Sequence, residues 1–206
     1  MNQTTNRPPA TMNRRIRELL SQITALEDEI EQALRRQEHT LYHLQDGKVH
    51  FPGQVEAAQL REKQGLPGWL LDSSPANVLS IPLLYGLFVP MVLMDLCLTL
   101  YQWLCFPLYR IGRVKRSNYI VIDRYHLRHL NSIEKLNCIY CGYANGLVAY
   151  AREIAARTEQ FWCPIKHASR IRDRHARYHD FVEYGDATDY HARLQEYRDR
   201  LTRETR

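Results

Sequence analysis

Apolar residues in the N-terminal region recur with the spacing of a helix that has one apolar face. From about Asn13 they follow alternating steps of three and four, the a and d positions of a heptad, at Ile16, Leu19, Ile23, Leu26, Ile30 and Ala33. This pattern predicts a coiled-coil helix over residues 13–45, which forms a homo-oligomer or binds a partner helix through residues 16–33. An amphipathic helix packed on its own domain is the alternative. Residues 1–12 are polar and contain two prolines, which predicts a disordered tail.

A long apolar stretch follows a segment that is rich in glycine and proline. Residues 46–77 hold seven Gly and Pro residues, which predicts a linker with a short helix near QVEAAQLREKQ. Residues 78–109 form a run of 32 residues in which Asp95 is the single charge, which predicts membrane insertion. A straight helix of this length would measure about 48 Å, against a hydrocarbon core of about 30 Å. The pattern therefore favours a Pro-bent membrane segment, as a re-entrant hairpin near Pro90 or a shallow insertion, with a single span as the alternative.

Charge is distributed unevenly on the two sides of this apolar segment. Residues 110–206 carry 19 Lys and Arg against 12 Asp and Glu, whereas residues 1–78 carry 9 against 10. Six cations follow the segment closely and are predicted to meet anionic lipid headgroups: Arg110, Arg113, Lys115, Arg116, Arg124 and Arg128. The positive-inside rule then predicts the cell (inner) membrane, with a cytoplasmic C-terminal domain. No nucleic-acid-binding motif is present, so no nucleic acid is expected as a partner.

The C-terminal residues 110–206 predict a small helical domain with one short strand. NYIVIDR, residues 118–124, has the β-branched composition of a strand. Helical spacing begins again after Asn145, a predicted N-cap, and three apolar stripes follow. The stripes are Leu147, Ala151, Ile154 and Thr158; Ile171, His175, Tyr178 and Val182; and Tyr190, Leu194, Tyr197 and Leu201. Each stripe is short of apolar material, so a domain of this size would gain from a metal staple.

Four residues have the spacing of such a staple. Cys138 and Cys141 stand in a C-x-x-C-G stretch, and Cys163 and His167 in C-P-I-K-H. Three thiolates and one imidazole complete a tetrahedral shell, which predicts a structural zinc site of Cys3His type. Iron is the alternative ion, because CPIKH resembles half of a rubredoxin-type knuckle. A free dithiol at the C-x-x-C pair is the other interpretation.

Further polar residues allow several interpretations. Asp95 is an ionisable group within the apolar run, which indicates function, pairing or a bend at headgroup level. Asp123, His126 and His129 fit a second metal site, a headgroup contact or a solvated basic segment. No Ser-His-Asp order, paired carboxylates or nucleotide loop is present. The sequence therefore predicts a mostly α, membrane-anchored scaffold or adaptor, with a membrane-bound redox or lipid-modifying enzyme that uses the C-x-x-C pair or an iron centre as the alternative.

Overall fold

The computed structural model describes residues 14–45, 48–72 and 74–204. The predicted tail, residues 1–12, lies outside the described residues. The chain is mostly helical with one small two-stranded sheet, which confirms the helical class. Helix α1 (Arg14–Leu41) covers most of the predicted coiled-coil segment, and most of its described apolar side chains stay exposed.

The segment after α1 holds more structure than a linker. Strands β1 (His43–Gln45) and β2 (Lys48–His50) pair antiparallel. Helices α2 (Gly53–Arg61) and α3 (Leu66–Asp72) follow, and α2 coincides with the short helix predicted from the sequence. The strand predicted at residues 118–124 is wrong. That segment has no ladder partner and consists of 3-10 turns at Arg116–Asn118 and Arg124–His126, joined by irregular chain.

The apolar run forms two helices, α4 (Pro75–Gly86) and α5 (Phe88–Tyr109). Leu87, between them, keeps helical angles, and the Met91 N–H still donates to the Leu87 carbonyl at 3.3 Å. Pro90 lies in the first turn of α5, where its missing N–H leaves only the Gly86 carbonyl without a helical donor. The chain does not reverse at Pro90 as a re-entrant hairpin requires. It continues in the same helical course to Tyr109.

Helix α6 (Ser132–Trp162) runs parallel to α5. Tyr143 of α6 donates to Asp95 of α5 at 3.0 Å, and the rings of Tyr109 and Phe161 stack at 4.8 Å, so residue numbers rise together along both helices. Residues 110–131 must therefore return along the pair, and this return segment packs against α6 at Gly146. A Cβ at Gly146 would lie 2.5 Å from the Tyr119 carbonyl oxygen. Glycine is needed here because the backbones approach so closely.

The start of α6 differs from the prediction. Its N-cap is Asn131, whose side-chain oxygen accepts from the Ile133 and Glu134 N–H groups at 3.0 Å, and Glu134 completes a capping box. Asn145 lies inside this helix and is not a cap. The second predicted stripe is also wrong, because residues 171–182 form irregular chain and a 3-10 turn, Ala176–Asp180. The third stripe is confirmed as α7 (Tyr190–Arg203).

The core lies between α5, the return segment, α6 and α7. Its buried members are Phe106, Ile111, Val114, Tyr143, Leu147, Tyr150, Ile154 and Leu201. The apolar run thus contributes Phe106 to the core of the C-terminal region, and Met91, Val92, Leu98, Tyr101 and Tyr109 pack against it. The predicted boundary at residue 109, which separates a membrane segment from a domain, cuts through this core.

Candidate functional site

The face of α5 that points to α6 carries polar groups that are fully engaged. Gln102 is buried, its amide nitrogen donates to the Tyr150 hydroxyl, and its amide oxygen accepts from the Val114 N–H at 2.9 Å. This one side chain joins α5, the return segment and α6. A buried amide with both ends satisfied stabilises a specific packing arrangement.

Asp95 lies on the same face, seven residues before Gln102. Its carboxylate accepts from Arg116 at 2.7 Å and from the Tyr143 hydroxyl at 3.0 Å. Burial first, and then the hydrogen bond to Asp95, raise the pKa of Tyr143, which therefore stays a neutral donor. The hydrogen bond to Asp95 raises the pKa of Arg116 against the effect of burial. The charge inside the apolar run is thus paired with a cation of the return segment.

The opposite face of the apolar run is exposed and apolar. Six aliphatic side chains of α5, between 49% and 78% exposed, define what we call the α5 stripe: Val89, Leu93, Leu96, Leu100, Leu104 and Leu108. Leu79 and Leu83 of α4 are also exposed, at 83% and 77%. The helical course Pro75–Tyr109 is long and apolar enough to cross a membrane. Contiguous apolar surface of this extent is typical of an interaction or membrane site.

The six cations predicted to meet lipid headgroups are all exposed, and two of them are already paired. Arg116 binds Asp95, and Arg128 forms an ion pair with Glu56 of α2 at 2.5 Å. The backbone N–H of Arg128 also donates to Gln59 at 3.0 Å, which attaches α2 to the return segment. The other four are Arg110, Arg113, Lys115 and Arg124, and these keep their charge available to a surface.

The four predicted metal ligands are not brought together. Cys138 and Cys141 lie one turn apart within α6, Cys163 is its C-cap, and His167 follows in a loop. Cys141 and Cys163 are 22 residues apart on one helix, which separates them by about 33 Å. The prediction that two knuckle loops meet is therefore wrong, and the residues do not fit one zinc or iron ion. Zinc or iron content as such stays a prediction that only metal analysis tests.

His167 has a structural contact instead. Its backbone N–H donates to the Tyr178 hydroxyl at 2.7 Å, and the two rings stack with centroids 6.0 Å apart. The alternative ligands Asp123, His126 and His129 lie around the second 3-10 turn. Among residues 14–45, 48–72 and 74–204, no group of three or more His, Cys, Asp or Glu side chains could hold a metal ion.

A half-buried arginine joins the elements that sequence reasoning expected a metal to join. Arg177 donates to Gln160 at 2.9 Å and Glu153 at 3.1 Å, both on α6, and to Glu204 at the end of α7 at 2.8 Å. Burial alone would lower the pKa of Arg177, but the hydrogen bonds and negative charges of Glu204 and Glu153 together raise it by more, so the net shift is upward. The side chain thus ties three elements together as a permanent cation.

A second polar contact secures the same loop. His175 Nε2 lies 3.0 Å from a Glu159 carboxylate oxygen, and its ring packs edge-on against Tyr178 at 5.8 Å. Arg170, Arg172 and Arg174 of this loop are exposed. In the sequence all four arginines of residues 170–177 look alike, and no local signal separates Arg177 from the other three.

The chain offers two surfaces of functional interest and no assembled catalytic centre among the residues described above. The surfaces are the apolar seam of α1 and the α5 stripe with its neighbouring cations. No protein-family model, curated protein or solved structure shows significant similarity to the chain.

Proposed function

We propose that this protein is a membrane-anchored adaptor, held on the bilayer by the apolar helical course and presenting α1 to a partner helix. The proposal rests on one observation. The course Pro75–Tyr109 uses its polar face to pack on α6, while the α5 stripe is left without a protein partner in the described chain. Exposure of so much aliphatic surface to water is unfavourable, whereas its transfer into a lipid bilayer is favourable.

The seam of α1 supports the adaptor role. Leu19, Ile23, Leu26 and Ile30 follow a/d spacing on a helix of 28 residues, and each is between 42% and 60% exposed. A solvated helix with a continuous aliphatic seam gains stability when a second helix covers it. The partner is a second copy of α1 or a helix with the same heptad pattern. Zinc and iron are not part of this proposal, since the four Cys and His residues do not fit one ion.

The orientation belongs to the proposal as well. The cations Arg110, Arg113 and Lys115 directly follow α5, so the positive-inside rule favours the cytoplasmic face of the inner membrane for the C-terminal region. Anionic headgroups, which are enriched on that face, complement these exposed cations. The membrane-bound enzyme remains the alternative. It requires Cys138 and Cys141, one turn apart on α6, to cycle between dithiol and disulfide.

The test is fractionation of the full-length chain, tagged at one end. The protein is expected in the membrane pellet after a high-salt wash, and recovery in the soluble fraction would refute the anchor. Deleting residues 78–109 is uninformative because Gln102 and Phe106 belong to the core. The double variant Leu93→Glu and Leu100→Glu changes exposed positions only, and it should release folded protein.

The adaptor role is tested separately on α1. Ile23→Asp and Ile30→Asp should abolish chemical cross-linking between copies or to a partner, while membrane recovery stays unchanged. The matched control is Glu27→Gln with Glu31→Gln, two exposed positions of α1 off the a/d seam. Equal cross-linking in the seam variants would refute the adaptor role. A quantitative loss of free thiols at Cys138 and Cys141 on mild oxidation, reversed by reductant, would favour the enzyme.

A further inference from the structure

The arrangement of charge along α5 determines how the apolar helix can meet a bilayer. Arg116 reaches Asp95, eight residues into α5, and Arg157 of α6 donates to the Gly112 carbonyl at 2.6 Å. The hydroxyls of Tyr101 and Thr158 lie 3.1 Å apart, so Arg157 stands beside the second half of α5. Charged side chains therefore flank the helix at its middle and towards its end.

These charges exclude a perpendicular crossing in this fold. If α5 spanned the bilayer, Arg116, Arg157 and Glu153 would be carried into the hydrocarbon together with α6. Charged side chains at that depth are costly even when they are paired. The return segment would be carried along as well. Its residues 121 and 122 are exposed and lie in irregular chain between the two 3-10 turns, and exposed irregular backbone is not tolerated in the hydrocarbon core.

If α5 lies in the plane of the membrane, neither the charged side chains nor the irregular return segment enters the hydrocarbon core. The α5 stripe lies on the side of the helix opposite to Asp95 and Gln102. At about 100° per residue its members cluster on one face of the helical wheel, about half a turn away from those two residues. The stripe can enter the acyl region while α6 and the return segment stay above it in water. Trp103, 59% exposed at the edge of the stripe, suits the interface between headgroups and acyl chains.

We propose that α5 lies parallel to the membrane within one leaflet, with the α5 stripe in the acyl boundary and phospholipid headgroups of negative charge against Arg110, Arg113 and Lys115. The protein is then monotopic, with α1 and α7 on the same side of the bilayer. This inference rests on the proposed membrane anchor and makes it specific. It specifies the shallow insertion that the sequence allowed and excludes both the single span and the re-entrant hairpin.

Depth measurement separates the three geometries. Spin labels are attached singly at Val89→Cys, Leu96→Cys and Leu104→Cys of the full chain, with the native cysteines replaced by serine, in phosphatidylcholine vesicles with and without phosphatidylglycerol. In the leaflet plane all three labels reach equal depth. In a span they are distributed over about 22 Å along the bilayer normal, so they cannot all lie equally far from the midplane. A hairpin bent near Pro90 places Val89 deeper than Leu104. Unequal depths overturn the inference, and they leave the membrane anchor itself intact.

Vesicle flotation tests the surface and the lipid. Val89→Glu should weaken binding about tenfold, since a charge enters the acyl boundary. Val148→Glu, at a valine of α6 outside the stripe that is 58% exposed, is the matched control and should bind as wild type. Binding should rise with phosphatidylglycerol and fall with salt. Equal binding of both variants overturns the assigned face. If wild type does not float with any vesicle, the membrane anchor fails together with this inference.

Discussion

Gly146→Ala should destabilise the protein, although alanine is the better residue for a helix. An added Cβ would lie 2.5 Å from the Tyr119 carbonyl oxygen and 2.8 Å from Ile120 Cα. Both are backbone atoms of the return segment. This segment is fixed to α5 just before these residues, because Arg116 donates to Asp95 and the Val114 N–H donates to Gln102. The segment must shift or α6 must move away, and either change disturbs the core around Tyr150.

The magnitude follows from two opposing effects. Overpacking of this kind costs about 3 kcal/mol, the upper end of its usual range, because backbone and not a flexible side chain must give way. Removing a glycine from the interior of a helix returns about 1 kcal/mol. The expected net loss is therefore about 2 kcal/mol, which lowers the melting temperature by roughly 4–8 °C for a chain of this size.

Gly142→Ala is the matched control, four residues earlier in the same helix. Its Cβ would meet only the Val121 carbonyl oxygen, at 3.2 Å, in a part of the return segment that is exposed and irregular. The helix gain should then balance or exceed the contact cost, so stability should change by less than about 1 kcal/mol. Thermal unfolding of both variants in detergent, followed by circular dichroism, measures the difference. A Gly146→Ala protein as stable as Gly142→Ala would refute the packing of residues 119–120 on α6.

Three further predictions concern polar contacts and metal. Arg177→Met should lower the free energy of unfolding by roughly 2–4 kcal/mol in urea, because Glu153 and Glu204 lose their partner. The control Arg35→Met, at an exposed ion pair on α1, should change it by less than about 0.5 kcal/mol. Equal effects of the two variants would contradict the role of Arg177. The hydrogen bonds from Arg193 and then Thr188 lower the pKa of Asp186 from 3.8 to about 2. This carboxylate therefore stabilises the fold above pH 3.8 and loses that effect as the pH falls towards 2. NMR titration should show the lowered pKa, and Arg193→Gln should return it towards 3.8. Cys163→Ser and a chelator should each leave the melting temperature unchanged, because Cys163 is exposed and far from Cys141, and a fall of several degrees in either experiment would restore the metal staple.

The sequence predicted elements whose periodicity does not depend on a partner. Helix α1 and helix α7 follow from their own apolar spacing, and α2 from a short helical pattern between breakers. The start of α6 could also have been predicted. Asn131 and Glu134 in NSIE have the capping-box spacing, but Asn145, which follows Gly142, offered a second N-cap further along the chain. The packing role of Gly142 and Gly146 becomes visible only with the return segment in contact with them.

The structure has Cys138 and Cys141 on a helix and not in a knuckle loop, because one spacing serves two structures. Residues three apart face the same side of a knuckle loop and also the same side of a helix. With the capping box upstream and 31 helical residues, Cys138 and Cys141 follow the helix. The run YIVI at 119–122 misled in a similar way. It is not helical, as its β-branched composition indicates, but it lies against glycines of a helix and has no neighbouring strand to form a ladder.

The apolar run shows most clearly what composition cannot predict. Composition gives the hydrophobicity of a helix but not which of its faces packs against the rest of the protein. Residues 78–109 satisfy the length and hydropathy of a span, and Asp95 alone argues against one. From the sequence that single charge is compatible with a functional site, a bend or a headgroup position. The structure adds the partner: Arg116, brought from 21 residues away, meets Asp95 on the face that packs against α6. Once that face belongs to the protein, lipid can reach only the opposite one. The charges on that face and the irregular return segment would then enter the hydrocarbon core in a span, which favours a position in one leaflet.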